Sequence, residues 1–252
     1  ILVWLLFKGE LKTGLRTSHP MQHVWRGMVG TVAMGLGFTG LGLLPLPEVT
    51  AIGYAAPLLT VIFAAMFLGE EVRAFRLSAV GLGLVGVLIV LSPRLEHFSN
   101  PDLGSLESLG VTVVLMGAGC AALAQVFIRK MVFTEKTSTI VFYFTVTSTV
   151  MSLLTIPFGW VMPGQREVML LILAGLFGGI GQILLTSSYR FAGASVIAPF
   201  EYTSIILALG IGYFAFGETP TLTMLVGAFL VVLAGVSIIW RESTLGLERS
   251  KQ

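Results

Sequence analysis

YAAPLLTVIFAAMFLGE at residues 54–70 and YTSIILALGIGYFAFGE at residues 202–218 are two versions of one pattern, set 148 residues apart. With Gly69-Glu70 and Gly217-Glu218 in register, Tyr54 falls on Tyr202, and Gly27 and Gly30 fall on Gly175 and Gly178. Similarity at one constant spacing means that a structural unit is present twice. Both copies are long apolar runs closed by a Gly-Glu pair, without the alternation of a half-buried strand.

Of the 252 residues, 55% are hydrophobic and 11% charged, and the mean hydropathy is +0.92. A soluble domain carries about 25% charged residues, and a core of this size has no room for so many long apolar runs. A large soluble domain is therefore excluded. The net charge of +2 is small and dispersed, which argues against nucleic acid as a partner. Cys120 stands alone in an apolar run, so neither a disulfide nor a cysteine metal site is expected. His19, His23 and His97 lie in polar connecting segments without a partner at ligand spacing. No metal and no cofactor is expected.

Catalytic motifs are missing as well: there is no His-Glu-x-x-His, no Walker loop and no nucleophile elbow. Gly35-Leu36-Gly37 and Gly81-Leu82-Gly83 sit inside apolar spans without the Lys-Ser/Thr of a nucleotide loop, and read as close helix packing. The chain is not expected to be an enzyme.

After a polar, basic stretch over residues 8–26, apolar segments follow at about 27–44, 49–68, 74–92, 107–129, 138–158, 168–188, 194–216 and 221–240. Each is long enough, or nearly so, to cross about 30 Å of hydrocarbon as a helix, and too long for a barrel strand. The opening Ile1–Phe7 run reads as the end of a further helix. The second repeat begins near Glu107, so its counterpart lies about 41 residues before Ile1, room for one helix and most of another. The expected fold is an all-α polytopic membrane protein with eight complete transmembrane helices plus the end of another. Its parts are a first repeat over 1–92, a Pro- and Gly-containing loop over 93–106, a five-helix repeat over 107–242 and a tail over 243–252.

Orientation follows from the basic residues. Placing residues 8–26 inside and alternating the loops puts thirteen Lys and Arg inside and only Arg94 and Arg166 outside. That asymmetry obeys the positive-inside rule and places the carboxyl terminus in the cytoplasm. The Gly69-Glu70 turn then lies inside and Gly217-Glu218 outside, so each full repeat has an odd number of helices, five, and the two are inverted in the membrane plane. Chains built this way are expected to be transporters.

Glu201 is the sharpest chemical signal, in Val196-Ile197-Ala198-Pro199-Phe200-Glu201-Tyr202-Thr203. A carboxyl group in hydrocarbon costs at least about 2.5–3.5 kcal/mol, so it should face the bundle interior or a watery path. Pro199 lacks an N–H and distorts the helix beside it. Glu201 reads either as a contact for a substrate cation or proton, or as a structural hydrogen bond near a helix end. Its repeat partner is Gly53, so an acid function is asymmetric. Tyr54 and Tyr202 offer ring faces and hydroxyls to an organic ligand, or serve as interface aromatics. Gln125 and Gln182 place amides within spans, where interhelical bonding explains them as well as ligand contact does. Pro57 reads as a mid-span kink, and Trp25 and Arg26 as interfacial anchors. Arg190 reads as a positive-inside anchor or an anion contact. Glu70 and Glu218 close spans at opposite faces, with capping of the helix that follows, or gating, as their roles.

Ala55-Ala56-Pro57 with Phe67-Leu68-Gly69-Glu70, and Ala198-Pro199-Phe200-Glu201-Tyr202 with Phe216-Gly217-Glu218-Thr219-Pro220 and Gly227 through Gly235, resemble the ten-helix EamA-type carriers of the drug/metabolite transporter superfamily. The resemblance covers about residues 23–242 and departs from the family's pattern at the amino end, where the first helix and most of the second are missing. It implies two five-helix repeats around a central cavity and alternating access driven by a gradient rather than by ATP. The expected function is secondary active transport of a small organic metabolite or drug-like solute across a plasma or bacterial inner membrane. The proton is the candidate coupling ion, lipid the surrounding partner, and a monomer the favoured state. A passive channel is the alternative, with a membrane enzyme or structural component behind it.

Overall fold

The computed structural model describes Leu5, residues 14–70, 74–95, 105–217, Thr219 and residues 221–244. Glu218, most of the Ile1–Phe7 stub, most of the 93–106 loop and residues 245–252 lie outside the described residues, as do the side chains of Pro199 and Tyr202. All the regular structure described is helical. In chain order it comprises α1 (Pro20–Leu43), α2 (Leu46–Gly53), α3 (Ala55–Leu68), α4 (Ala74–Leu95), α5 (Ser105–Met131) and α6 (Thr137–Leu153). A short 3-10 turn (Ile156–Phe158) precedes α7 (Gln165–Ser188). The short α8 (Ala194–Ile197) leads into a 3-10 segment (Ala198–Thr203), then α9 (Ser204–Phe216) and α10 (Leu222–Thr244).

Each apolar segment is helical, but two are broken and one starts early. The 49–68 segment splits at Tyr54 into α2 and α3, because Pro57 in the first turn of α3 offers no N–H to the turn before it. The 194–216 segment contains the 3-10 stretch around Pro199 for the same reason. α1 begins at Pro20 and so carries His23, Trp25 and Arg26 on the helix rather than in a connecting loop. The expected kink at Pro57 is thus a one-residue interruption at Tyr54, which keeps right-handed dihedrals (φ −67°, ψ −3°) and its N–H bond to the Thr50 carbonyl at 3.2 Å.

The repeat is visible in the backbone register. α2 starts at Leu46 and α8 at Ala194, α3 ends at Leu68 and α9 at Phe216, and α4 and α10 start at Ala74 and Leu222, always 148 residues apart. The two turn glycines match in conformation too, Gly69 at φ 66° and Gly217 at φ 68°, the left-handed region that closes a helix with least strain in glycine. At the first of them the Glu70 N–H returns to the Ala64 carbonyl at 3.3 Å.

Among the described residues, three helical stretches are long and apolar enough to cross a membrane: Glu48–Leu68, Ser108–Met131 and Gln165–Ser188. For Gln165–Ser188 the apolar window is 0% buried within the structure. An unburied helix of that hydropathy is untenable in water and ordinary in lipid, where apolar faces need no protein cover.

The chain forms two compact units, residues 1–31 with 127–191, and residues 32–126 with 192–252. In the first, Ile128, Met131, Ile140, Val141, Phe144 and Tyr189 are buried. There Gly27 allows a close approach, since a Cβ added to it would stand 2.6 Å from Thr147 Cβ. In the second, Leu44, Val49, Ile52, Tyr54, Leu58, Val61, Val111, Val114 and Ala228 form one cluster. Gly83 of α4 meets Leu58 of α3 and Ala234 of α10, a small-residue packing of the expected kind. Gly35 and Gly81, by contrast, have nothing within 4 Å of an added Cβ.

Candidate functional site

In the second unit the 3-10 segment carries Glu201, and α5 carries Gln125. Gln125 Nε2 donates to Glu201 Oε1 at 2.7 Å. The Thr60 hydroxyl, fully buried in α3, shares its proton between the Ala56 carbonyl at 2.9 Å and Gln125 Oε1 at 3.0 Å. Thr60 therefore orients the amide, and the amide orients the acid. A buried amide whose donor and acceptor are both engaged avoids the desolvation penalty of an orphaned polar group. Glu201 Oε2 has no protein partner among the described residues, which leaves that oxygen for a proton, an ammonium group or a polar solute.

Tyr54 joins the same cluster. Its side chain is buried at the α2–α3 break, and its hydroxyl meets Ser204 Oγ at 2.7 Å. Ser204 Oγ in turn donates to the Glu201 carbonyl at 2.6 Å, so the Tyr54 hydroxyl is the donor to Ser204. The two helix breaks, at Tyr54 and at 198–203, thus meet through one hydrogen-bond chain. Tyr202 shares the 3-10 backbone with Glu201.

The other predicted residues go elsewhere. Gln182, on α7, belongs to the first unit, where its Oε1 accepts from Arg26 Nη2 at 3.1 Å. Arg26 itself is only 3% exposed and lies with its guanidinium carbon 3.7 Å from the centre of the Phe144 ring. It is a buried cation and not the interfacial anchor that its place before an apolar run had indicated. Trp25 is 53% exposed and remains free for that role. The signal for Arg26 was Gly30, one turn on, whose missing side chain leaves room for the guanidinium.

Arg190 serves as a clamp. Its Nε donates to Thr137 Oγ1 at 2.8 Å, its Nη1 to the Val132 carbonyl at 3.0 Å, and its Nη2 to the Glu135 carbonyl. These bonds hold the turn between α5 and α6, which explains a cation at the end of α7 without lipid or substrate. Glu70 also caps a helix to which the sequence did not point. Its carboxylate accepts from the Ala194 N–H at 3.1 Å, the Ser195 N–H at 3.3 Å and Ser195 Oγ at 2.6 Å. It caps α8, 124 residues away, and Gly193 leaves space for it, since a Cβ there would stand 3.0 Å from Glu70 Oε1.

A second polar group that sequence reading missed surrounds Glu135, in the turn after α5. Glu135 Oε1 accepts from the Thr17 hydroxyl at 2.6 Å and the Ser18 N–H at 3.1 Å, and lies 3.8 Å from His23 Nε2. Burial acts to raise the Glu135 carboxyl, but the Thr17 and Ser18 bonds and His23 outweigh it and hold the group below its ordinary value. His23 precedes the apolar run beginning at Gly27, and burial lowers its imidazole, with Glu135 opposing. Both shifts are downward, so the unfolded chain binds more protons and stability rises with pH. The Glu135 contribution is present above 4.5 and is lost as pH falls through the lower folded value. The His23 contribution is lost as pH falls below 6.5. Amide hydrogen exchange across residues 132–139 is expected to quicken from pH 7 to pH 4 after correction for intrinsic rates. Glu135→Gln should remove the lower part of that dependence and His23→Gln the upper part; an unchanged profile in both variants contradicts the assignment.

Among the described residues no group of three His, Cys, Asp or Glu could hold a metal ion. Three apolar helical stretches of spanning length among the described residues, one of them unburied, define an all-α, multi-pass membrane protein. The comparisons with known proteins agree. The chain belongs to the EamA-like transporter family, whose sequence profile matches residues 1–92 and 108–240.

A relative described as an S-adenosylmethionine uptake transporter of Rickettsia bellii is 28% identical over 242 residues, covering 96% of this chain and 79% of that one. The pseudopaline exporter CntI of Pseudomonas aeruginosa is 29% identical, with 94% and 81% covered. A riboflavin transporter of Rhizobium johnstonii is 26% identical, with 90% and 73% covered. One crystal structure matches with a TM-score of 0.72 and 20% identity, over 97% of this chain and 83% of the other, which shows a shared fold. The protein is accordingly a secondary transporter of small solutes across a membrane, and these relatives are transporters rather than enzymes.

Proposed function

We propose that this protein carries a small organic metabolite across the cytoplasmic membrane by alternating access, coupled to protons through Glu201. The observation that carries the reading is the Gln125–Glu201 bond of 2.7 Å at the 3-10 break, with Oε2 left unpartnered among the described residues. An intramembrane acid so placed is suited to exchange a proton or to meet an amine, and Tyr54 supplies a ring nearby for an amphipathic, cationic or zwitterionic solute. The coincidence of helix boundaries at one spacing supports two inverted five-helix repeats, 1–92 and 107–242, with eight complete spans and the end of a ninth in this chain. The basic-residue asymmetry supports a cytoplasmic carboxyl terminus, and the unburied face of Gln165–Ser188 supports direct contact with lipid. We take the working unit to be a monomer.

The relatives' names support S-adenosylmethionine, pseudopaline and riboflavin as the solutes to try on this protein. Counterflow tests the carrier mechanism. In proteoliposomes preloaded with unlabelled S-adenosylmethionine or riboflavin, uptake of the same labelled compound is expected to exceed uptake into empty vesicles severalfold. Equal uptake with and without preloading, where uptake is protein-dependent, would identify a pore and overturn the proposal.

A further inference from the structure

Arg26 is a buried cation whose partners are incomplete. Nη2 donates to Gln182 Oε1, and the guanidinium lies over the Phe144 ring, but Nε and Nη1 are buried without a hydrogen-bond partner. Among the described residues no carboxylate pairs with it; in this unit Glu135 lies beside His19 and His23, and Glu167 accepts from the Gly164 N–H. An arginine cannot discharge its charge by losing a proton in the way a lysine can. A desolvated guanidinium with two idle donors is therefore expected to meet an acceptor that arrives from outside the chain.

The surroundings select what that acceptor is. On α7, Thr186 is one turn from Gln182 and on the same face, and its hydroxyl is also buried without a partner. Gly30 makes room for the guanidinium itself, because a Cβ there would stand 2.5 Å from Arg26 Nη1 and 3.0 Å from Phe144 Cε2. The idle groups at Arg26 are all donors, which excludes a cation as their ligand. A planar oxyanion meets arginine through Nη2 together with either Nε or Nη1, the usual geometry between arginine and carboxylate, and Nη2 has a second N–H beside the one it gives to Gln182. We propose that Arg26, with Gln182 and Phe144, forms a carboxylate-binding site in the first unit, taking the acid group of a small organic solute. Gln182 then positions the guanidinium through its acceptor, and Phe144 offers a face to an apolar or aromatic body next to the acid.

Benzoate and benzamide are suitable probes, since they share shape and differ in charge. In phosphatidylcholine nanodiscs the native protein is expected to bind benzoate saturably and benzamide at least about tenfold more weakly, a difference of about 1.4 kcal/mol. Arg26→Gln should abolish that preference, Arg26→Lys should keep part of it, and Gln182→Leu should weaken benzoate severalfold. Equal binding of the two probes to the native protein overturns the site without any variant, so a misfolded variant does not obscure the result. Retention of the preference in a folded Arg26→Gln overturns it as well. Loss of benzoate binding when phosphatidylglycerol replaces phosphatidylcholine would assign the site to a lipid headgroup, which also contradicts a solute site. Because the readout is equilibrium binding, it stands or falls independently of whether Glu201 couples transport.

Discussion

Glu201→Gln is expected to lower the rate of proton-driven uptake by roughly 10- to 100-fold, the loss of one hydrogen bond to a charged group, about 1.5–3 kcal/mol, from the working cycle. The substitution preserves volume, and the new amide oxygen still accepts from Gln125 Nε2, so the 2.7 Å contact and the 3-10 segment remain. What disappears is the ability of the second oxygen to take and release a proton. Uptake driven by a pH gradient should therefore fall, and the remaining activity should no longer depend on pH, while thermal stability in detergent changes little. Gln125→Leu separates positioning from proton transfer. It leaves the acid in place without its orienting donor, so transport should weaken while its pH dependence persists with a shifted midpoint. Wild-type rates and pH profile in Glu201→Gln would sink the coupling role.

The second large effect is on stability. Glu70→Ala is expected to destabilise the protein by about 2 kcal/mol, the size of a lost charged cap. Three donors at the start of α8, the N–H groups of Ala194 and Ser195 and the Ser195 hydroxyl, lose their acceptor together. Ser195→Ala alone should cost about 1 kcal/mol, and the double variant less than the sum, because both remove the 2.6 Å Ser195 Oγ bond. Unfolding titrations in mixed detergent micelles measure all four corners of this cycle. Additive effects, or a Glu70→Ala variant with native stability and altered transport, would move Glu70 from cap to gate.

Much of the fold was legible before any coordinates. Long apolar runs, the paired Gly-Glu turns and the spacing of 148 residues are one-dimensional features, because a membrane helix satisfies its backbone internally and needs only length and hydropathy. The breaks were half legible. Pro57 and Pro199 announce a lost hydrogen bond, but whether the backbone answers with a bend, a break at Tyr54 or a 3-10 segment depends on what packs beside it. Partnerships were less accessible. Glu70 and Arg190 both look like helix-end charges, yet one caps α8 and the other clamps the turn before α6. Arg26 looked like its neighbour Trp25, and only the packing of Phe144 and Gln182 around it distinguishes the two.

Periodicity, composition and charge asymmetry were thus sufficient for class, repeat and membrane setting, since each is a local or summed property of the chain. Tertiary structure alone decided which polar groups meet. Gln125 reaches Glu201 across 76 residues, while Gln182, the same residue type in the same kind of span, reaches Arg26 across 156. Such pairings follow from which helix faces come together, and in an apolar helix every face reads nearly alike until the fold brings two polar side chains within 3 Å of each other.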